Sequence, residues 1–455
     1  MKNSFVVLFL IICCFYFKVN SIVCDPPVGT PVNEPLGEGF GINKGRVVWV
    51  INRDATTWDG INGYYYDSEY LDQSKVDIMM DNAIRSLTGN EDVVLAWNML
   101  FRDFNKRKHG QDVGYKSGQT IAMKINLNAD YGGYGDNNGN EVSPQFLRSL
   151  MTHLTKYVGA DQKDLYIYDA SRLIMPHFQK MFGQYFPNIN LFDNRGGEGS
   201  IQRVQPDPTS YLQFSNTEVP AQKQTKLPTF VNQADYVIEI DNFRGHSIAG
   251  VTLSGKNWFG TIYRPDIVCD FAGRHAGHWC PASLHKFVNI TERPMGTYTP
   301  LVDLLGHPKL TNNALFVIAD GLYGGPLEES CINDEDCVPS PPVIFEMEPF
   351  NDHWSSSIFI SQDPIALDSV ALDILRSEPH IPYSRIGCSD NYLHEGALAN
   401  NPPSGTVYNP SGQKQLESLG IHEHWNNPYE RKYTRNFDPV NGKGIELVEI
   451  DLSTD

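Results

Sequence analysis

The sequence predicts an α/β fold: a mainly parallel sheet with helices on both faces, long irregular insertions and a C-terminal wrap. Three observations predict it. Short runs of β-branched, aromatic and aliphatic residues alternate with segments whose apolar residues recur at the helical period. Strands separated by helices need crossovers, which set the strands parallel and lay the helices on the sheet faces. The 455 residues, 41% hydrophobic and 20% charged, suffice for a large core.

Taken in order, residues 1–21 read as a signal peptide. Lys2 precedes an apolar run from Phe5 to Phe17, and Ser21 is a small residue where cleavage would fall. The run is short for a membrane span. Residues 22–45 form an irregular, Pro- and Gly-rich lead-in, and an α/β domain is expected over 46–387. Its strands are expected at 46–52 (RVVWVIN), 120–126 (TIAMKIN), 164–169 (DLYIYD), 235–241, 314–320 (ALFVIAD) and 357–361 (SIFIS). A helix is expected over 75–87 through Val76, Met79, Met80 and Ile84, ending at Gly89. Another starts at Ser143-Pro144, a hydroxyl cap followed by proline. A third opens at Asp363-Pro364 and shows Leu367, Val370, Ala371, Ile374 and Leu375 on one side. Polar stretches near 190–230 and 325–352 read as insertions, and 388–455 as a C-terminal extension packed on the same domain.

The net charge of −18 disfavours nucleic acid and anionic membrane as partners and suits a secreted protein or one that binds cations. Beyond the signal stretch there are six cysteines. In an oxidising compartment that even number favours disulfides, with Cys331–Cys337 and Cys269–Cys280 the local candidates. Asn289-Ile290-Thr291 is a glycosylation sequon.

The chemistry is expected at the strand ends. In a parallel sheet the carboxyl ends share one edge, and ligands bind in the crevice outside it. The ends here are Asn52-Arg53-Asp54, Asn126-Leu127-Asn128, Asp169-Ala170-Ser171, Asp241-Asn242, Asp320-Gly321 and Gln362-Asp363. Asp, Asn and Ser at such places also serve as caps and turn formers, the reading preferred for Asp363 and Ser143. The stretch 234–260 is the floor of the predicted site. A strand breaks into a turn at Asp241-Asn242 and delivers Arg244, His246, Lys256 and Asn257. Lys124, inside an apolar strand, requires an acid partner or a bound anion if buried. The catalytic candidates are therefore His246 as general acid–base, with Lys256 and Lys124 clamping negative charge. Asn126, Asn128, Asp169, Ser171, Asp241, Asn257 and Asp320 are the substrate-binding candidates, for a small polar or sugar-like ligand.

Histidines cluster at His275 and His278, with His285 close by, and again at His394-Glu395 and His422-Glu423-His424. Mixed His and carboxylate sets suit zinc, iron or manganese, so a divalent metal is expected among His275, His278, His394, Glu395, His422 and His424. There is no HExxH, CxxC pair, Walker loop, GxSxG elbow or strand–GxGxxG–helix unit.

The stretches 122–128 (AMKINLN), 168–171 (YDAS), 250–260 (GVTLSGKNWFG) after His246, 320–325 (DGLYGG) and 361–368 (SQDPIALD) together resemble the "domain of unknown function 362" family, from about residue 46 to the end. The stretches 390–395 (DNYLHE) and 422–426 (HEHWN) resemble its secreted bacterial branch. The resemblance implies a largely uncharacterised family, some members exported and others carrying a ferredoxin-like iron–sulfur segment. This chain has no C-x-x-C-x-x-C run for a cluster of its own. The family motifs fall on Lys124, Asn126, Asp169, Ser171, His246, Lys256, Asn257, Asp320, Asp363 and Asp368, and bring no role with them. Asp368 is expected as a solvent-facing or capping-turn acid. Three functions follow: a secreted enzyme using the His/Lys/Asp site, a redox protein with an external iron–sulfur partner, or a binding or matrix protein without catalysis.

Overall fold

The computed structural model describes residues 31–132, 135–219, 225–262, 281–290, 293–327, 329–331, 337–379, 381, 386 and 389–454. The signal stretch, Cys269, His275, His278 and Cys280 lie outside the described residues.

The strands are β1 (Leu36–Gly37), β2 (Arg46–Ile51), β3 (Ile121–Ile125), β4 (Leu165–Tyr168), β5 (Asn190–Asp193), β6 (Gln202–Arg203), β7 (Tyr236–His246), β8 (Gly250–Thr252), β9 (Ala314–Gly325), β10 (Glu329–Cys331), β11 (Cys337–Pro339), β12 (Ser357–Ser361), β13 (Ile421–His422) and β14 (Glu446–Asp451). One sheet has the order β14-β2-β12-β9-β7-β3-β4-β5-β6, with β8 added to β7. From β9 to β6 the neighbours are parallel, as are β14 and β2. β12 runs antiparallel to both β2 and β9. The expected mainly parallel α/β sheet is therefore present. The reversed β12 corrects one detail: its end, Gln362-Asp363, lies on the edge opposite the other strand ends. There Asp363 caps a helix, accepting from Ala366 N (3.0 Å), and also ties down Phe40 N and Ile421 N.

The helices are α1 (Gln73–Thr88), α2 (Val93–His109), α3 (Pro144–Thr152), α4 (Pro176–Tyr185), α5 (Thr229–Gln233), α6 (Ser254–Asn257), α7 (Pro300–Gly306), α8 (Pro364–Ser377), α9 (Asp390–Ala397) and α10 (Thr434–Phe437). Side chains alternate across each strand, so one strand feeds two cores. In β2, Val47, Trp49 and Ile51 join the core under α7, α8 and α9, while Val48 and Val50 join the one under α1 to α4. Helix α1 starts where Asp72 accepts from Ser74 N and stops at Gly89, whose φ of 75° is the left-handed conformation glycine tolerates.

Strand β7 does not break at Asp241-Asn242. Pairing with β9 continues through Asn242↔Asp320 and, after a register shift, resumes at Arg244↔Gly325, so Asp241 and Asp320 both lie within strands. Polar residues that signal a turn when solvated are buried here. The stretch near 190–230 contributes β5 and β6 to the sheet edge. Cys331 and Cys337 sit directly opposite in the antiparallel β10–β11 ribbon. Strand β14, from the C-terminal extension, pairs with β2, and Glu446 grips Arg46 at 3.0 Å. Among the described residues no helix is long and apolar enough to cross a membrane.

Candidate functional site

Alternation along β3 places Lys124 with Ala122 on the α8 face, and register sets Glu239 of β7 beside it. Asp241, two residues on, shares that face. The lysine is fully buried and all three of its protons are used. They go to Asp169 Oδ2 (2.9 Å), Asn257 Oδ1 (2.8 Å) and Ile125 O (2.6 Å). Asn257 is brought over the strand ends by α6. It receives Asn126 Nδ2 (3.2 Å) and donates to Ile240 O (3.1 Å). Asp169 completes its shell with Ser171 N and Oγ and with Arg172 N. Arg244 adds a cation, bonding Asn126 Oδ1 (2.7 Å) and Asn140 O. A side chain at Gly260 would lie 2.6 Å from Lys124 Nζ and 2.7 Å from Asp169 Oδ2, so the pair closes only over a glycine.

Three buried acids lie beneath α6. Ser254 Oγ donates to Glu239 Oε2 (2.6 Å). Asp368 accepts from Ser254 N, Gly255 N and Tyr392 OH at 3.0–3.1 Å, so it is a core acid, which corrects the solvent-facing expectation. Asp241 has neither oxygen in hydrogen-bond geometry, although Asn257 and Glu239 lie close. Burial pushes the carboxyls of Glu239 and Asp241 well above their ordinary range, and that of Asp368 to about 7. The cluster therefore holds protons at neutral pH.

His246 lies farther along β7, its Nδ1 accepting from Ile248 N (3.0 Å) and Ala249 N (3.2 Å). Burial and the nearby Lys256 charge hold it well below 6.5, so the ring is neutral and carries its proton on Nε2. Lys256 Nζ lies 4.2 Å over the Phe259 ring, which packs on His285.

A second centre forms where α8, α9 and β13 meet. Ser369 Oγ gives its proton to Ile365 O (2.6 Å) and contacts His422 Nδ1 (2.8 Å), so that Nδ1–H donates to the hydroxyl. His424 Nδ1 meets Asp373 Oδ1 at 2.7 Å, and Asp373 Oδ2 is anchored by Trp425 N and Tyr433 OH. Neither Nε2 atom has a hydrogen-bond partner, and that of His422 keeps its lone pair. Asp390 Oδ2 accepts from Arg376 (2.6 Å), and Oδ1 is left without a hydrogen bond, 3.7 Å from His424 Nε2. Asp390, His422 and His424 offer one ligand atom each within 4.8 Å of one another, a group that can hold a metal ion. The His394 ring lies 4.8 Å from that of His422. Burial opposes ionisation of Asp390, but Arg376 overrides it and keeps the carboxyl below its usual range; burial likewise opposes protonation of His424, but Asp373 and Asp390 override it and raise the ring above 6.5, so a metal there displaces a proton. His422 is pushed well below 6.5, first by burial.

Residues 121–323 match the family model described as Domain of unknown function (DUF362). This segment belongs to the DUF362 family. A comparison with curated proteins returns no match. Among solved structures the chain is similar to the lactate racemase apoprotein from Thermoanaerobacterium thermosaccharolyticum, at 10% identity and a TM-score of 0.28. That similarity covers 64% of this chain and 56% of the other, so the chain spans little more than half of that protein's length.

The DUF362 segment runs from β3 to β9 and holds the whole Lys124–Asp169–Asn257 network, whereas the Asp390–His422–His424 centre lies outside it. Within the segment, the structure unites Lys124, Asn126, Asp169, Ser171 and Asn257, with Glu239 and Asp241 adjoining. His246 and Lys256 form a separate group with His285. Asp320 is engaged elsewhere, accepting from Ser143 N (2.6 Å), Ser143 Oγ (2.7 Å) and Leu322 N. The Ser143 hydroxyl thus serves Asp320 rather than capping α3. Asn128 is tied by its N–H to Glu141 (3.0 Å). Glu395, expected as a metal ligand, instead braces the turn at Ser404 and Tyr408. Asp390 takes the carboxylate place. It stands in the same DNYLHE stretch, but 32 residues before His422 and with no helical spacing to it. Glu239 and Ser369 were also missed.

Proposed function

We propose that this chain is a metal-dependent α/β enzyme acting on a small polar substrate, with a divalent d-block ion held by Asp390, His422 and His424. The observation that supports it is the set of three buried donor atoms without partners, each held from behind. A carboxylate on one imidazole and a hydroxyl on the other fix the tautomers and orient the rings, as ligands of a metal require. Two nitrogens and one carboxylate suit zinc, iron or manganese better than calcium or magnesium. Ligand atoms on a tetrahedral ion with bonds of about 2.0 Å stand roughly 3.3 Å apart, so modest side-chain shifts close the group.

The substrate would be handled at the strand ends. There Lys124 holds Asp169 and Asn257 in place, Arg244 and Asn126 present polarity, and the protonated acids store protons. His246, with Nδ1 occupied, works as an Nε2–H donor. Export and a saccharide or other small polar ligand belong to this proposal, supported by the signal-like start and the acidic composition. Elemental analysis of the purified chain tests it. About one equivalent of a d-block metal is expected, lost together with activity in His422→Ala and His424→Ala. Metal content unchanged by both substitutions refutes the assignment.

A further inference from the structure

We propose that His394 is a fourth protein ligand where α8, α9 and β13 meet, completing a set of three histidines and one aspartate around the ion. This role rests on Asp390, His422 and His424 holding that ion, and it changes what the ion can do. Helix α9 places Asp390 and His394 four residues apart, one turn along the same face. His422 and His424 stand two residues apart, the first at the end of β13. The two pairs meet ring to ring, His394 on His422 at 4.8 Å and His422 on His424 at 4.8 Å. Rings that share an ion present their edges to it, and neither contact is a flat stack. The ring planes are tilted by 50° and 86°.

The other two imidazoles are fixed from behind, His422 by Ser369 and His424 by Asp373. His394 differs. Among the described residues its side chain makes no hydrogen bond and no ion pair, and it is half-buried, at the edge of the centre. Burial holds the ring below 6.5, so it has a lone pair to give at neutral pH. The charge of Asp390 acts on it directly. Three ligand atoms already converge within 4.8 Å, and rotation of a ring that no hydrogen bond restrains supplies the fourth. The consequence is chemical. Four protein ligands close a tetrahedral zinc site, whereas a catalytic zinc keeps one position open. An enzyme built on this centre therefore needs an ion that accepts a fifth ligand, as iron and manganese do.

Titration of the full chain with cobalt(II), after treatment with a chelator, tests it, because the visible spectrum of cobalt(II) reports its ligand number and geometry. His394→Ala should still take up one ion, but at least about 100-fold more weakly, beyond what loss of a supporting hydrogen bond costs, and with an altered spectrum. His394→Phe keeps a ring against His422 and removes the nitrogen, so it should lose as much. Added imidazole should restore the wild-type spectrum to His394→Ala. Wild-type affinity and spectrum in His394→Ala, or in His394→Phe, would overturn the proposal, the second by showing that the ring only packs. If His422→Ala abolishes uptake while both His394 variants match the wild type, the fourth ligand alone is refuted. If the wild-type chain takes up no cobalt(II), the three-ligand centre fails and the fourth ligand with it.

Discussion

Replacing Lys124 with Met removes the ammonium and keeps most of the stem. Asp169 Oδ2, Asn257 Oδ1 and Ile125 O all lose a donor at once, in a place without water to replace it. Breaking a buried ion pair from one side costs about 3–5 kcal/mol, because the surviving charge is left unpaired. Asp169→Asn keeps an oxygen for Ser171 and Arg172 but turns an amide toward the ammonium, at a similar cost. With both substitutions no charge remains, and the amide introduced at position 169 can donate to the Asn257 oxygen. The double variant should therefore cost about 2–4 kcal/mol less than the sum of the singles. Urea midpoints, followed by circular dichroism and tryptophan fluorescence together, measure this. A loss below about 1 kcal/mol for Lys124→Met, as exposed pairs give, or additive singles would refute the account.

Two further outcomes are expected. Ser369→Ala and Asp373→Asn leave all three proposed metal ligands in place but remove their supports, and each should weaken metal binding about 10–100-fold in a competition with a chelator. Unchanged affinity would mean that the rings are oriented otherwise. Burial lifts the Asp320 carboxyl to about 6, despite the Ser143 bonds that favour its charge. The folded chain then holds a proton that the unfolded chain releases from about pH 3.8 upward. The stability difference between the wild-type chain and Asp320→Asn should accordingly fall by roughly 2–3 kcal/mol from pH 4 to 7 and stay level above. Denaturation at several pH values checks this, and a rise over the same window would contradict it.

What could be read from the sequence follows from what is local. Helix α1 declares itself through its apolar period and its closing glycine, and Asp363-Pro364 through its cap. Strand direction is not local: nothing within 357–361 says that β12 runs against its neighbours, so the opposite-edge position of Asp363 could not be seen. Asp241 and Asn242 look like a turn because such residues seldom enter a strand interior. Here burial shifts Asp241 toward its neutral, protonated form, which lets the acid stay inside the strand. Asp390 and His422 come from α9 and β13, elements that meet only on α8. Helix α2, by contrast, carries a legible repeat of Trp97, Leu100, Phe101 and Phe104 that the strand-centred reading passes over.

The partnership of β14 with β2 joins residues 400 positions apart, as the Arg46–Glu446 contact shows. At ribosomal speeds of about 5–20 residues per second, one side of β2 waits roughly 20–80 s for its mate. An emerging polypeptide must keep that hydrophobic ribbon from finding a stranger's backbone, so this flank is where chaperone occupancy should linger during synthesis.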